Sequence, residues 1–154
     1  MNKEKLYYPI ALDIKNRVVK VIGGGRVAQR KVKILLSFGP KIKIISPNLT
    51  IDLKNLVRKK KITYLKRIYK KGDLKDAFLV IAATSDNKVN RDVYKEALKK
   101  KILINVVDNS KLSNFISPAV LEKKGLMITV SSHGKNPKLA KITRDKIKDF
   151  LKWN

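Results

Sequence analysis

Three consecutive glycines, Gly23-Gly24-Gly25, stand between the apolar run Val18-Val19-Lys20-Val21-Ile22 and the run Arg26-Val27-Ala28-Gln29-Arg30-Lys31. Read by spacing, Gly23, Gly25 and Ala28 form G-x-G-x-x-A. In a strand–turn–helix context this pattern brings a backbone against a pyrophosphate. The first glycine allows the tight turn, the second the close approach of the phosphates, and the small Ala28 lets the helix pack near the strand. A helix starting there also offers unpaired N–H groups and a partial positive charge. The chemistry so encoded is dinucleotide binding; the competing reading is a glycine-rich turn with no ligand.

The choice of dinucleotide is less constrained. An NAD site usually carries an acid about 20 residues further on, at the end of the second strand. Here Ser46-Pro47-Asn48 occupies that place. No arginine stands beside it to receive a 2′-phosphate, although Lys41 and Lys43 are near. Asn48 can hydrogen-bond a ribose hydroxyl. Spacing alone leaves NAD and NADP both open.

The elements that must position these residues follow from periodicity. A strand at Val18–Ile22 ends at the glycines, and a helix with Val27, Val32, Leu35, Leu36 and Phe38 at helical spacing ends at Gly39-Pro40. Strands are expected at Lys41–Ile45, Ile62–Leu65, Phe78–Ala83 and Ile102–Val107, with helices at about 51–57 and 88–100. Phe78–Ala83 is apolar throughout, as a parallel strand buried on both faces requires. Alternating strands and helices imply an α/β fold, a doubly wound parallel sheet of Rossmann type. After Asp108 the pattern changes. Phe115–Val120 and Leu126–Val130 read as a hairpin turning at Lys123-Lys124-Gly125, and a last helix opens at Asn136-Pro137, a cap followed by proline. The expected organisation is residues 1–115 as the dinucleotide domain and 116–154 as a hairpin-plus-helix extension. The helix stripe Leu139, Ile142, Ile147 and Phe150 is too apolar for so small a unit to bury alone. It is expected to pack on a second subunit.

Composition narrows the classes of function. The chain has 154 residues, of which 44% are hydrophobic, enough for a packed core rather than disorder. It contains no cysteine, which excludes disulfides and thiolate metal sites, and the single histidine, His133, argues against a built-in metal centre. No apolar run approaches the roughly 18 residues of a membrane helix. The start, MNKEKLYYPIALDI, lacks the form of a signal peptide, so the expected compartment is the cytoplasm. A net charge of +25 favours polyanionic partners, or reflects a general bias toward lysine. A dinucleotide-sensing, nucleic-acid-binding module is the competing class. No helix-turn-helix or RNP-like motif supports it, and no aromatic residues group as a stacking platform.

Six stretches, "YPIALDI", "VIGGGRVAQRKVKILL", "IISPNL", "LVIAATSDNKVN", "INVVDNSKLSNFISPAV" and "ITVSSHGKNPKLAKITRDKI", fall in an order that resembles the precorrin-2 dehydrogenases. That family also forms the N-terminal part of sirohaem synthase and sometimes doubles as a sirohydrochlorin ferrochelatase. The resemblance runs from Tyr8 to about Leu151, and its most specific block is Ala82–Pro118. It implies NAD-dependent oxidation of precorrin-2 to sirohydrochlorin, with iron or cobalt insertion as an alternative second activity, in a homodimer. It places cofactor contacts at Gly23, Gly25, Arg26, Val27, Pro47 and Asn48, with Ala83 and Thr84 lining the site.

The resemblance also makes Asp108 the catalytic carboxylate. A carboxylate at the end of the fifth strand can take the proton that leaves as a hydride goes to nicotinamide, or can hold an entering metal ion. Without the resemblance, Asp108-Asn109-Ser110 reads as a turn. Ser132 matches a position in or beside the substrate pocket that is phosphorylated in some relatives. The helix start at Asn136, with Lys135 and Lys138, offers N–H groups and charge to a carboxylate of the tetrapyrrole. Part of the positive charge then serves substrate capture. Two departures stand out. His133 replaces a small residue and reads as an exposed loop residue without a role. The chain also stops at Asn154, where many relatives continue into a helical segment over the pocket.

Overall fold

A computed structural model describes residues 5–107 and 109–151. The chain divides into two compact units: one runs from Ile10 to Phe115, and the other joins the segment up to Pro9 to the chain from Ile116 onward.

The first unit contains β1 (Val18–Ile22), α1 (Arg26–Leu36), β2 (Lys41–Ser46), α2 (Ile51–Arg58), β3 (Thr63–Lys66), β4 (Leu79–Ala82), α3 (Asn87–Lys99) and β5 (Leu103–Val106), followed by a 3-10 turn at Ser110–Leu112. The strands form one parallel sheet in the order β3-β2-β1-β4-β5. Side-chain alternation along β1 explains the layers. Val19 and Val21 join Val32 of α1 and Leu53 of α2 in one buried cluster. Ile22 points to the other face and meets Val93 and Ala97 of α3. Burial on both faces makes these strands apolar runs rather than alternating ones. The doubly wound Rossmann-type sheet anticipated from the periodicity is therefore present. Local chemistry starts two of its helices: Thr50 caps α2 by accepting from the Leu53 N–H, and Asp86 caps α3 by accepting from those of Lys88 and Val89.

The connection from β3 to β4 carries no helix. Parallel strands are ordinarily joined by one, so residues 67–78 need other restraints. Charged groups supply them. The Arg67 guanidinium donates to both carboxylate oxygens of Asp73 at 2.7 Å, and the Lys70 N–H donates to the same side chain. Lys20, on the central strand and only 7% exposed, donates through Nζ to the Asp73 carbonyl at 2.5 Å, to the Lys75 carbonyl, and to Asp76 Oδ1 at 2.6 Å. Parallel register sets Lys43 beside Lys20, and its Nζ reaches the other oxygen of Asp76 at 3.2 Å. One carboxylate thus serves two adjacent lysines.

In the second unit, β6 (Ala119–Lys123) and β7 (Leu126–Val130) pair antiparallel, and α4 (Pro137–Phe150) packs on them. Lys124 and Gly125 both have positive φ, 51° and 78°, as a two-residue turn that follows strand twist requires. The first hairpin strand starts at Ala119 rather than at Phe115 as the sequence suggests. Phe115 is already bound to β5, since its N–H donates to the Ile104 carbonyl and its carbonyl accepts from Asn105 Nδ2. Pro118 has no N–H to add to a ladder. Asn136 caps α4 as expected, its Oδ1 accepting from the Leu139 N–H at 2.9 Å. Ala140 is buried, whereas Leu139, Ile142 and Phe150 are exposed, Phe150 by 84%. Among the described residues no helix is long and apolar enough to cross a membrane.

The Lys20–Asp76 pair yields a test of this polar restraint. The hydrogen bond from Lys20 holds the Asp76 carboxyl below its ordinary value. A depressed folded-state pKa contributes stability above the unfolded value of about 3.9, and that stability is lost as pH falls through the folded value. Because the Asp76 side chain is half exposed, the effect of Asp76→Asn is expected to be about 1–2 kcal/mol at neutral pH. Urea unfolding should show that difference near pH 7 and a much smaller one at a pH below the depressed folded value, where the native carboxyl is itself protonated. An equal difference at both values would exclude the ion pair as its source.

Candidate functional site

A cleft of about 810 Å³ opens beyond the carboxyl ends of β1, β2, β4 and β5. In open α/β sheets this is where ligands bind. Its floor is the glycine turn. Gly23 has φ of +116°, and its N–H donates to the Ile45 carbonyl at 2.9 Å. A Cβ there would lie 2.3 Å from the Ala83 carbonyl oxygen. Gly24 is as constrained: a Cβ would meet the Asn48 carbonyl oxygen at 2.1 Å and a Leu49 methyl at 2.6 Å. Its own carbonyl accepts from the Thr50 N–H.

Gly25 differs. A Cβ added there would meet nothing within 4 Å. Its backbone is extended and caps α1 without a side-chain hydrogen bond, and the first turn of α1 holds no acid. Among the described residues, the N–H groups of that turn therefore have no side-chain acceptor, and the space beside Gly25 belongs to the cleft. Ala28 is fully buried against the sheet, as close helix–strand packing demands. Arg26 is exposed on the same turn, and among the described residues no carboxylate pairs with it. Backbone donors, a helix N-terminus and an arginine around an open volume suit a pyrophosphate.

The walls come from neighbouring strand ends. At the end of β2, Ser46 Oγ donates to the Asn48 carbonyl at 2.8 Å, and the Tyr64 hydroxyl donates to the Pro47 carbonyl at 3.2 Å. These bonds fix the turn and leave the Asn48 side chain exposed. After β4, Thr84 Oγ1 donates to Asn90 Oδ1 at 2.9 Å while Asn90 Nδ2 donates to the Thr84 carbonyl at 3.0 Å. This reciprocal pair ties the loop to α3. All eight residues expected to contact the dinucleotide, Gly23, Gly25, Arg26, Val27, Pro47, Asn48, Ala83 and Thr84, line this one cleft. Asp108 lies outside the described residues; Val107, immediately before it, lines the cleft.

The residues expected at the substrate belong to the second unit. Ser132 Oγ accepts from the Asn136 N–H at 2.8 Å, so these two are held together at the start of α4, and Lys138 lies in its first turn. His133 has a structural part: its Nδ1 accepts from the Tyr7 N–H at 3.2 Å, and its ring lies over that of Tyr7 at 6.5 Å.

Three cleft residues escape the sequence pattern. Gly24 occupies a position the motif leaves free, yet it is pressed between chain segments. Ile68 and Tyr69 line the cleft from the helixless connection, where no periodicity marks them. Burial first, and then the hydrogen bond to Glu96, push the Tyr69 phenol well above its ordinary value.

Comparison with known proteins agrees with this geometry. Residues 10–119 match NAD_binding_7, a family of NAD(P)-binding domains. A siroheme synthase from Baumannia cicadellinicola is 39% identical over 145 residues, covering 94% of this chain and 31% of the relative. Siroheme synthase 1 from Serratia proteamaculans is 41% identical over 145 residues, covering 94% of this chain and 30% of the relative. The chain thus spans about a third of the length of these relatives. A solved structure described as SirC, precorrin-2 dehydrogenase, superposes with a TM-score of 0.83 at 26% identity, over 94% of this chain and 71% of the other.

The glycines separate folding from binding. Gly24→Ala forces a Cβ against a backbone oxygen and should cost about 3 kcal/mol of stability. Gly25→Val enters open space and should cost only about 1 kcal/mol, as the cap changes, yet fill the phosphate volume and weaken NAD binding at least about tenfold. Thermal unfolding with NAD titration checks both, and NAD affinity unchanged in Gly25→Val would exclude Gly25 from the phosphate site.

Proposed function

The chain belongs to the NAD_binding_7 family of NAD(P)-binding domains, and on that premise we propose that it is an NAD-dependent precorrin-2 dehydrogenase acting as a cytoplasmic homodimer. The observation that carries the reading is the open volume at Gly25, walled by strand ends and faced by uncapped N–H groups of α1. Similarity to siroheme synthases and to a precorrin-2 dehydrogenase supports the choice of substrate. NAD, when bound, supplies the hydride acceptor.

The residues divide the work by position. The backbone of Gly25, Arg26 and Val27 binds the pyrophosphate, and the Arg26 guanidinium adds charge. Asn48 meets the adenosine ribose at the end of β2, where a hydrogen-bonding side chain is required. Ala83 and Thr84, held by Asn90, set the nicotinamide half over β4. Asp108, next to Val107 of the cleft wall, accepts the proton released from the tetrapyrrole as hydride departs. Ser132, Asn136 and Lys138 bind peripheral carboxylates of the substrate, which the charge of +25 helps to attract. The exposed stripe of Leu139, Ile142 and Phe150 supports self-association through α4.

Incubation with freshly generated precorrin-2 and NAD, NADP or neither should give the sirohydrochlorin absorbance only with a dinucleotide, and faster with NAD. Absence of product with both would overturn the proposed activity. Asp108→Ala should retain NAD affinity and lose turnover by at least about 100-fold. Oxidation at the native rate by that variant would remove Asp108 from the chemistry.

A further inference from the structure

Glu96 lies on α3 and is only 8% exposed, in a chain with few acids and many lysines. Burying a carboxylate is costly unless its oxygens are bonded. Glu96 is fully engaged: Oε2 accepts from the Tyr69 hydroxyl at 2.5 Å and from the Gly72 N–H at 2.8 Å, and Oε1 accepts from the Leu74 N–H at 3.3 Å. The two amides hold the turn between β3 and β4. The third bond holds Tyr69, a residue that lines the cleft and also a second cavity that it shares with Glu96.

The position of that side chain along the cleft follows from strand order. The adenosine ribose belongs at the end of β2, and β3 lies beyond β2 at the sheet edge. Ile68 and Tyr69 follow the end of β3 after Arg67, so they flank the adenosine half. Tyr69 packs with its buried side on the cluster of Ile22 and Ile45. Ile68 is 62% exposed, an apolar surface largely open within the cleft. A flat apolar base is the part of a dinucleotide that such a surface accommodates.

We propose that Glu96 is a positioning residue for the dinucleotide: by holding the Tyr69 hydroxyl it keeps Tyr69 and Ile68 as a preformed wall on which the adenine rests. The inference deepens the dinucleotide reading of the cleft and depends on it. Its energetic basis is preorganisation, since a wall already ordered in the free protein need not be ordered on binding.

Tyr69→Phe is the direct test, because it keeps the ring and leaves Glu96 its two backbone donors. Titration of the purified full chain with NAD and with ADP should show both dissociation constants rising about tenfold. In precorrin-2 oxidation, KM for NAD should rise by the same factor, with kcat at saturating NAD unchanged. Tyr69→Ala, which removes the wall, should lose more in both titrations. Unchanged affinity for NAD and ADP in Tyr69→Phe, even with a lowered Tm, would reduce Glu96 to a fold-holding residue and overturn the proposal. So would a fall in kcat at constant KM. Failure of the unsubstituted chain to bind either nucleotide would instead overturn the cleft reading, and this inference with it.

Discussion

Everything at the cleft depends on three backbone segments meeting with no side chain between them. Gly23 sits against the carbonyl of Ala83, and Gly24 against that of Asn48. These contacts join the ends of β1, β4 and β2. Each segment also donates to the next: Gly23 N–H to Ile45, Ala83 N–H to Ile22, and Thr50 N–H to Gly24. A Cβ at either position would push two strand ends apart, and the loops that form the cleft walls would move with them. Within the triplet, only at Gly25 does the absence of a side chain leave room instead of closing a contact. Two glycines of the triplet therefore serve the sheet, and one leaves space for a ligand.

The opposite problem, too little secondary structure, arises between β3 and β4. A parallel crossover without a helix satisfies only part of its backbone internally, here through turns such as Lys75 N–H to Gly72 and Ala77 N–H to Leu74, and apolar burial alone would leave the other amides and carbonyls stranded. The chain solves this with charge. Lys20 on β1 binds two carbonyls and Asp76, Arg67 holds Asp73, and Glu96 on α3 holds two amides. Buried ions of both signs thus face the turn from the sheet and from the helix. Such groups give geometry more than net stability, because desolvation offsets much of their attraction. Geometry is what a cleft wall needs.

Much of this was legible in the sequence, and the exceptions share a cause. Strands buried on both faces read as apolar runs, and α1 and α3 carry helical periodicity, because burial against a sheet acts on every turn. The glycine motif was legible because phosphate approach imposes a fixed spacing, and the start of α4 because Asn136-Pro137 is chemically explicit. The role of Gly24 was not, since its constraint comes from Asn48, distant in sequence. Tyr69 and Ile68 were hidden for the same reason: their placement is set by Glu96, 27 residues away from Tyr69, and no local pattern encodes it. The first hairpin strand was placed too early because Phe115 looks like a strand residue locally, although its hydrogen bonds belong to β5.

The charge of the chain takes on a more specific meaning once its few acids are located. For a protein with 37 basic and 12 acidic residues, the simplest expectation is carboxylates placed for surface solubility. Instead Asp73, Asp76 and Glu96 converge on one connection, Asp86 caps the helix behind the cleft, and Asp52 receives Gln29 and Lys33 to tie α1 to α2. These five acids are used where a backbone turn or helix junction must be held. The excess lysines remain exposed, outside those junctions. Long-range attraction of a polyanion depends on net charge and tolerates loose placement, whereas backbone positioning requires a carboxylate at about 3 Å. Strong basicity and a well-ordered cleft are therefore compatible: scarce negative charge shapes the site, and abundant positive charge sets the field around it.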